Sequence, residues 1–352
     1  MKLTTKIIGV MSGTSLDGVD VAELFFWEEN EKISFEIGIA QTIPYSEDWI
    51  NRLKNGINNS EAELKVLNSE YTTLLGNIIR TFIEENNIKN IDAITSHGHT
   101  ILHQPEKGIT LQIGNLPEVA QVVGKTVVCD FRVQDVRLGG QGAPLVPIGD
   151  RMLFSDYDYC LNLGGFSNIS FEQNQTRIAY DICPVNTVLN FYAQKLGFDY
   201  DNKGELARTG KFNTKLFEEL NSLAFYSQKP PKSLGFEFVK NVIFPITQNY
   251  ETHEVLRTFT EHAAFQISRN IFNKKSKLLF TGGGAYNDFL VESTRDYLPE
   301  AEIIIPDKKT IEFKEALIFG LLGYLKLQHK INFLASETGA KNDHSSGIIY
   351  YS

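Results

Sequence analysis

Residues 13–18, Gly13-Thr14-Ser15-Leu16-Asp17-Gly18, lie between the apolar runs 6–10 and 19–27. Two apolar stretches separated by a few Gly, Ser, Thr and Asp residues read as strand, tight turn, strand. The same arrangement recurs over residues 157–171. There an apolar run meets the turn Asn162-Leu163-Gly164-Gly165-Phe166-Ser167-Asn168 and a second apolar run begins at Ile169. A chain that uses one Gly-rich hairpin style twice is expected to contain two similar halves. Its 352 residues leave room for two separate cores.

The remaining patterning alternates strands with helices. Apolar residues recur at helical spacing over 60–86 (Leu64, Leu67, Leu74, Leu75, Ile78, Ile79, Phe82). Helices are also expected over 185–196, 214–223, 251–272, from about Asn287, and over 311–328. Short apolar runs at 91–96, 126–129, 277–280 and 302–305 read as strands. Residues 138–147 and 229–233 are rich in Gly or Pro and read as loop. The pattern predicts an α/β protein with mixed sheets.

Composition narrows the function. The formal charge of −9 gives no overall attraction to nucleic acid or anionic membranes. The three cysteines (Cys129, Cys160 and Cys183) are widely spaced and include no CxxC pair, so neither a zinc site nor a disulfide framework is expected. The first apolar run is too short for a secretion signal, and no stretch has the length of a membrane span. A cytoplasmic location is expected.

The chemistry is expected in the glycine-rich turns. Phosphate oxygens need converging donors. Gly13 and Gly18 allow close backbone approach, and Thr14 and Ser15 add hydroxyls. The Walker pattern is absent, so neutralising charge would come from a metal. Asp17 and Asp20 are candidates to hold Mg²⁺ through water. Taken alone, the turn reads equally as a surface hairpin. The second turn, with Asn162, Gly164 and Gly165, suggests two loops clamping a nucleotide's phosphates from opposite sides. Thr281-Gly282-Gly283-Gly284 adds a third small-residue loop at a strand end, where adenine or ribose would lie against backbone. His97, His99 and His103 have alternating spacing that leaves a metal site as a minor reading.

The ordered segments Gly9-Val10-Met11-Ser12-Gly13-Thr14-Ser15-Leu16-Asp17-Gly18-Val19-Asp20, Ser96-His97-Gly98-His99-Thr100, Asp130-Phe131-Arg132, Gly139-Gly140-Gln141-Gly142-Ala143-Pro144-Leu145-Val146-Pro147, Asn162-Leu163-Gly164-Gly165, Ala207-Arg208-Thr209-Gly210, Pro230-Pro231-Lys232-Ser233 and Thr281-Gly282-Gly283-Gly284-Ala285 span nearly the whole chain. Together they resemble the anhydro-N-acetylmuramic acid kinase family. The resemblance implies a two-domain actin/sugar-kinase-like (ribonuclease H-like) α/β fold with a central nucleotide cleft. The domains would run over 1–128 and 129–334, with the tail from about 335 packing on the first. It implies ATP and Mg²⁺ as cofactors, an amino-sugar substrate and a homodimer. Nucleotide would be held by Gly13, Thr14, Ser15, Leu16, Asp17, Gly18, Val19 and Asp20, by Asn162, Gly164 and Gly165, and by Gly282, Gly283 and Gly284. His97, Arg132, Asn186 and Glu315 would line the sugar pocket.

The implied reaction opens an internal sugar bridge. Water attacks C1 and the freed O6 receives the γ-phosphoryl group of ATP, giving a sugar 6-phosphate in murein recycling. The residue matching the family's base is Asp181; on residue type alone it also reads as lying near a helix N-cap. Where the family carries roughly Thr-Gly-Pro-Gly-Asn, this chain reads Ile182-Cys183-Pro184-Val185-Asn186. Side chains in place of those glycines predict a changed local backbone or a narrower pocket. Arg132 and Asp135 alternatively read as a surface ion pair, and Glu315 as a residue on a solvated helix face.

Overall fold

The computed structural model describes residues 3–13, 16–104 and 107–352. Thr14 and Ser15 therefore lie outside the described residues. The chain divides into two compact units, one formed by Met1–Leu153 with Phe313–Ser352 and the other by Phe154–Glu312. The division thus falls later than the 128/129 expected from sequence. The cause is local, because the segment after Cys129 is tied to the C-terminal tail. Thr338 Oγ1 donates to Asp135 Oδ1 at 2.7 Å, and Gln141 N–H donates to Thr338 O at 2.8 Å.

The first unit contains strands β1 (Thr5–Met11), β2 (Val19–Glu29), β3 (Lys32–Ile43), β4 (Ala93–Ser96), β5 (His99–Gln104), β6 (Ile109–Ile113) and β7 (Val127–Cys129). Its main sheet has the order β3-β2-β1-β4-β7, while β5 and β6 form a separate ribbon. β1 runs antiparallel to β2 and parallel to β4. Ile7, Ile8 and Val10 are buried because β1 is an interior strand covered on both faces, which explains its continuous apolar run. The helix Glu61–Glu85 starts at a capping box in which Ser60 and Glu63 satisfy each other's backbone donors. Its Leu67, Tyr71, Leu75, Ile79 and Phe82 lie on one buried face. Each such side chain contributes about 1.5–3 kcal/mol of burial free energy.

The second unit contains β8 (Tyr159–Leu163), β9 (Phe166–Gln173), β10 (Thr176–Pro184), β11 (Lys277–Thr281) and β12 (Glu302–Ile304). Its sheet order is β10-β9-β8-β11-β12. Pairing directions also repeat. β8–β9 and β9–β10 are antiparallel, and β8–β11 and β11–β12 are parallel. The two halves expected from the hairpins are therefore two copies of one sheet plan. A last strand, β13 (Ile348–Tyr350), pairs antiparallel with β7 and extends the first sheet.

The helix Lys308–Leu327 packs on β1 at Gly9, where an added Cβ would overlap the Ala316 carbonyl. This close approach needs glycine, and it sets Lys314 and Glu315 beside the start of the first hairpin. Among the described residues, no helix is long and apolar enough to cross a membrane.

Candidate active site

In the first unit, Ser12, the residue after β1, is held by a chain of polar side chains. Ser12 Oγ lies 2.7 Å from Tyr45 Oη and 2.8 Å from His99 Nδ1, and Tyr45 Oη lies 2.6 Å from Tyr71 Oη. Burial pushes His99 down to about 4, so its ring is neutral at physiological pH. Leu16 has φ 60°. Its side chain and that of Val19 are buried in the core, so any ligand contact from either would come from backbone. At Gly18 a Cβ would overlap the Ile43 carbonyl. Asp20 accepts a hydrogen bond from Thr42 Oγ1 at 2.6 Å, and Asp17 is exposed.

Glu315 faces the same region. Its side chain is reached by solvent, yet its carboxyl pKa is raised. The surrounding protein contributes most and Asp20 next, while Arg132 and Lys314 pull the other way. Lys314 pairs with the buried Asp150 at 2.7 Å. Glu315 is thus coupled to charged neighbours, unlike a residue on a plain solvated face.

His97 and Arg132 are in direct contact. His97 is buried, and its Nδ1 lies 3.0 Å from the Gly98 carbonyl, an acceptor only. The proton therefore sits on Nδ1, leaving Nε2 to accept. Arg132 Nε donates to Nε2 at 3.1 Å, and Gln112 Nε2 lies 2.8 Å away. Burial, and then the Arg132 charge, hold the His97 pKa well below the usual histidine range. Arg132 Nη1 also donates to the Gly142 carbonyl at 2.8 Å, and Gly142 N–H donates to Asp135 Oδ2 at 2.7 Å. Asp135 is fully buried. Arg132 and Asp135 are consequently not a surface ion pair. They are joined through the Gly142 backbone.

His99 is occupied by Ser12, and the exposed His103 lies 3.2 Å from Thr110 Oγ1. Gly98, at φ 70°, breaks the alternation on which the histidine metal reading rested. Among the described residues, no group of three His, Cys, Asp or Glu side chains could hold a metal ion.

In the second unit, the turn after β8 caps a helix. Val185 N–H and Thr187 N–H donate to Gly165 O at 2.9 and 3.2 Å, and Asn186 N–H donates to Gly164 O at 3.2 Å. The helix Asn186–Gln194 therefore starts without a capping side chain, its first donors being satisfied by the hairpin. In a planar trans peptide the N–H points opposite the preceding carbonyl. With Gly164 O turned toward the helix, Gly165 N–H faces away from it. Asn186 Nδ2 donates to Leu163 O at 3.1 Å, and the Gly283 Cβ position would lie 3.6 Å from that nitrogen. Asn186 thus sits between the two glycine-rich loops of the second unit, whereas His97, Arg132 and Glu315 belong to the other unit.

Beside Gly283 lies a cavity of about 630 Å³ lined by Asn186, Leu189, Tyr200, Tyr286 and Ile305. The sequence reading missed the two tyrosines. Tyr286 stands two residues after Gly284, and an aromatic so close behind a Gly-rich strand end was a usable signal.

Asp181 lies in β10, not at a helix N-cap. It is half-buried and sits at an irregularity in the ladder, with Asp181 opposite Asn168 and Cys183 opposite Ser167. Burial raises its carboxyl pKa, opposed by the Leu234 N–H that donates to Oδ2 at 2.8 Å.

Cys183 and Val185 are fully buried within the core of the second unit. Neither has positive φ, and Val185 adopts φ −132°, ψ −95°. Both side chains therefore fill core volume. Returning either to glycine is expected to destabilise the protein by roughly 2–4 kcal/mol through lost burial and added chain entropy. Catalytic rates should change little, because both side chains lie within the core. Denaturant melts and initial rates on Cys183→Gly and Val185→Gly measure both effects.

One sheet plan occurring twice, with a glycine-rich turn between the first two strands of each copy, defines an actin/sugar-kinase-type α/β protein. The model of the anhydro-N-acetylmuramic acid kinase family matches residues 5–352, and the chain belongs to that family. The anhydro-N-acetylmuramic acid kinase of Francisella tularensis subsp. novicida is 33% identical over 374 residues, covering 98% of each chain. That of Bacillus thuringiensis subsp. konkukian is 31% identical over 377 residues, covering 98% of this chain and 99% of its own. Among solved structures, component A of (R)-2-hydroxyglutaryl-CoA dehydratase from Acidaminococcus fermentans aligns with TM-score 0.45 and 13% identity, over 92% of this chain and 99% of its own.

Proposed function

We propose that this ATP-dependent kinase opens 1,6-anhydro-N-acetylmuramic acid with Asp181 as the base, and phosphorylates the freed O6. The observation that carries the assignment is Asp181 itself. It is a half-buried carboxylate whose Oδ2 is held by a backbone N–H, in the same unit as the Asn162–Gly165 and Gly282–Gly284 loops. Asp181 takes a proton from water as that water bonds to C1. The C1–O bridge bond breaks, and O6 then bonds to the γ-phosphorus as the bond to ADP breaks. Asp181 then releases its proton to solvent, so the sum is anhydro-sugar, water and ATP giving sugar 6-phosphate, ADP and one proton.

Phosphoryl transfer requires mainly positioning and charge stabilisation. In this reading Gly165 N–H and the Gly282–Gly284 backbone orient the nucleotide, and the cavity beside Gly283 takes the nucleoside. In the first unit, Gly13, Asp17 and Gly18 form a candidate phosphate loop of their own. Arg132, locked by His97 and Gly142, presents its charge to the sugar, with Glu315 as a further polar contact. The carboxylates of Asp17 and Asp20, both felt by Glu315, form an acidic region that fits Mg²⁺, an ion that keeps several waters and takes few carboxylates. When bound, Mg²⁺ supplies neutralising charge for the phosphates. By family likeness the enzyme works in the cytoplasm as a homodimer.

Mass spectrometry of the product made in ¹⁸O-labelled water tests the reaction. One ¹⁸O at C1 together with phosphate on O6 is the expected result. A phosphorylated product with no label at C1, once anomeric exchange is controlled for, means that no ring opening by water occurs.

A further inference from the structure

We propose that the segment 230–234 is the positioning element of the catalytic carboxylate. Leu234 N–H holds Asp181 Oδ2 so that Oδ1 takes the proton, and Lys232 anchors the segment that does this. The inference rests on the reading of Asp181 as base.

Pro230-Pro231-Lys232-Ser233 runs beside the strand that carries Asp181. β10 is the outer strand of its sheet, so its outward backbone groups need partners. At Asp181 they are supplied by this segment, since Asp181 N–H donates to Lys232 O at 3.1 Å. Two residues on, Leu234 N–H returns to the side chain of the same residue at 2.8 Å. One short stretch therefore fixes both the backbone and one carboxylate oxygen of Asp181. A carboxylate held at one oxygen cannot rotate freely, and its other oxygen is left to act as acceptor.

The segment is itself pinned through Lys232. Its Nζ donates to the Phe225 carbonyl at 3.4 Å and lies 4.6 Å from the Phe225 ring and 5.8 Å from that of Tyr180. Phe225 is a buried core residue, and Tyr180 adjoins Asp181 in β10. The ammonium thus bridges the core to the strand that carries the base. The ionisable neighbours are Lys232, Tyr180 and Cys183, with Arg269 of the helix Thr252–Arg269 acting on Lys232. Burial raises the Asp181 carboxyl and the Leu234 bond opposes it, so loosening the segment leaves burial less opposed.

Lys232→Met is expected to lower kcat roughly 10–100-fold, the scale on which misplacement of a reacting group acts. The ATP Kd should be unchanged, and the acid limb of kcat/KM should move to higher pH. Lys232→Arg, which keeps the charge and the hydrogen bond, should recover most of kcat. Unaltered kcat with an unmoved acid limb in Lys232→Met overturns the proposal. A measurement on the unmodified enzyme guards against a variant that misfolds. The Leu234 amide proton, followed by NMR, should shift downfield as Asp181 ionises, with the midpoint of the acid limb. An amide shift that is flat through that range also overturns it. Asp181→Asn separates the two possible failures. Activity retained there removes the base and this inference with it. An inactive Asp181→Asn beside an unaffected Lys232→Met removes the positioning claim alone.

Discussion

Asp181→Asn is expected to lower kcat by roughly 10²–10⁴-fold, the range that a positioned general base contributes, while ATP affinity stays within about twofold. Asparagine is nearly isosteric and can still accept from Leu234 N–H, but its amide cannot take a proton from water at any working pH. The fold should not suffer, and the sign of the pKa shift says why. Burial raises the Asp181 pKa above its ordinary value of 3.8, so the ionised carboxyl is less favourable in the folded chain than in the unfolded one. At pH well below the ordinary value both states are protonated and the group has no effect. Above the folded pKa its ionisation costs stability, and that cost is present at neutral pH. Replacing it by a neutral amide removes the cost, so the Tm at pH 7 should equal or exceed that of the unmodified protein. The same shift places the acid limb of kcat/KM above the ordinary aspartate range. Thermal melts, calorimetric ATP titration and a pH–rate profile together separate a lost base from a damaged fold. Full turnover in Asp181→Asn would take this residue out of the chemistry.

What the sequence revealed and what it hid follow from the range of the interactions. Both hairpins were legible because a tight turn is a local event. Gly, Ser, Asn and Asp bend the chain within a few residues of the apolar runs they join. The helix Glu61–Glu85 was legible for the same reason, its periodicity and capping residues being contiguous. The doubled sheet plan was only hinted at, since the elements between equivalent strands differ. One long helix dominates the crossover from β3 to β4, whereas several helices fill that from β10 to β11. Asp181 was ambiguous because Pro184 and the helix start at Asn186 lie close behind it, and strand β10 ends only there. Least legible were the supports. Asp135 meets Thr338 across 203 positions, Ser12 meets His99 across 87, and Leu234 reaches Asp181 across 53. Nothing in the immediate neighbourhood of any of these residues announces its partner. Cys183 and Val185 suggested a narrower pocket when read as side chains replacing glycines. Their direction into the core, which decides the matter, is a property of the packed strand.

Gly282→Ala is expected to destabilise the protein by roughly 2–4 kcal/mol, as strain and overpacking combine, and to weaken ATP binding at least about tenfold, one and a half kcal/mol or so of lost contact. Gly282 adopts φ 78°, ψ 167°, a region that essentially only glycine occupies. A Cβ there would overlap Asn162 Oδ1 and stand within 3.0 Å of the Leu163 backbone. The Asn162 side chain can turn aside, but the Leu163 backbone cannot yield easily. Thr281 pairs with Asn162 in the parallel β8–β11 ladder, and Thr281 Oγ1 donates to Leu161 O at 3.1 Å. Relief must come from parting the two central strands or from rotating the loop that carries Gly283 and Tyr286 out of the cavity wall. The first route lowers Tm and the second lowers affinity. Gly283→Ala is the internal control. Its Cβ would meet only Asn186 Nδ2, at an ordinary 3.6 Å, and its φ is not positive, so stability should change by less than about 1 kcal/mol. Any loss of ATP affinity in Gly283→Ala then reports steric exclusion at the cavity rather than a disturbed sheet. Because neither glycine touches Asp181, kcat at saturating ATP should fall far less in both than in Asp181→Asn. A Gly282→Ala protein with an unchanged Tm and ATP Kd would mean that the loop does not hold the strained, close-packed conformation on which its assignment to the nucleotide depends.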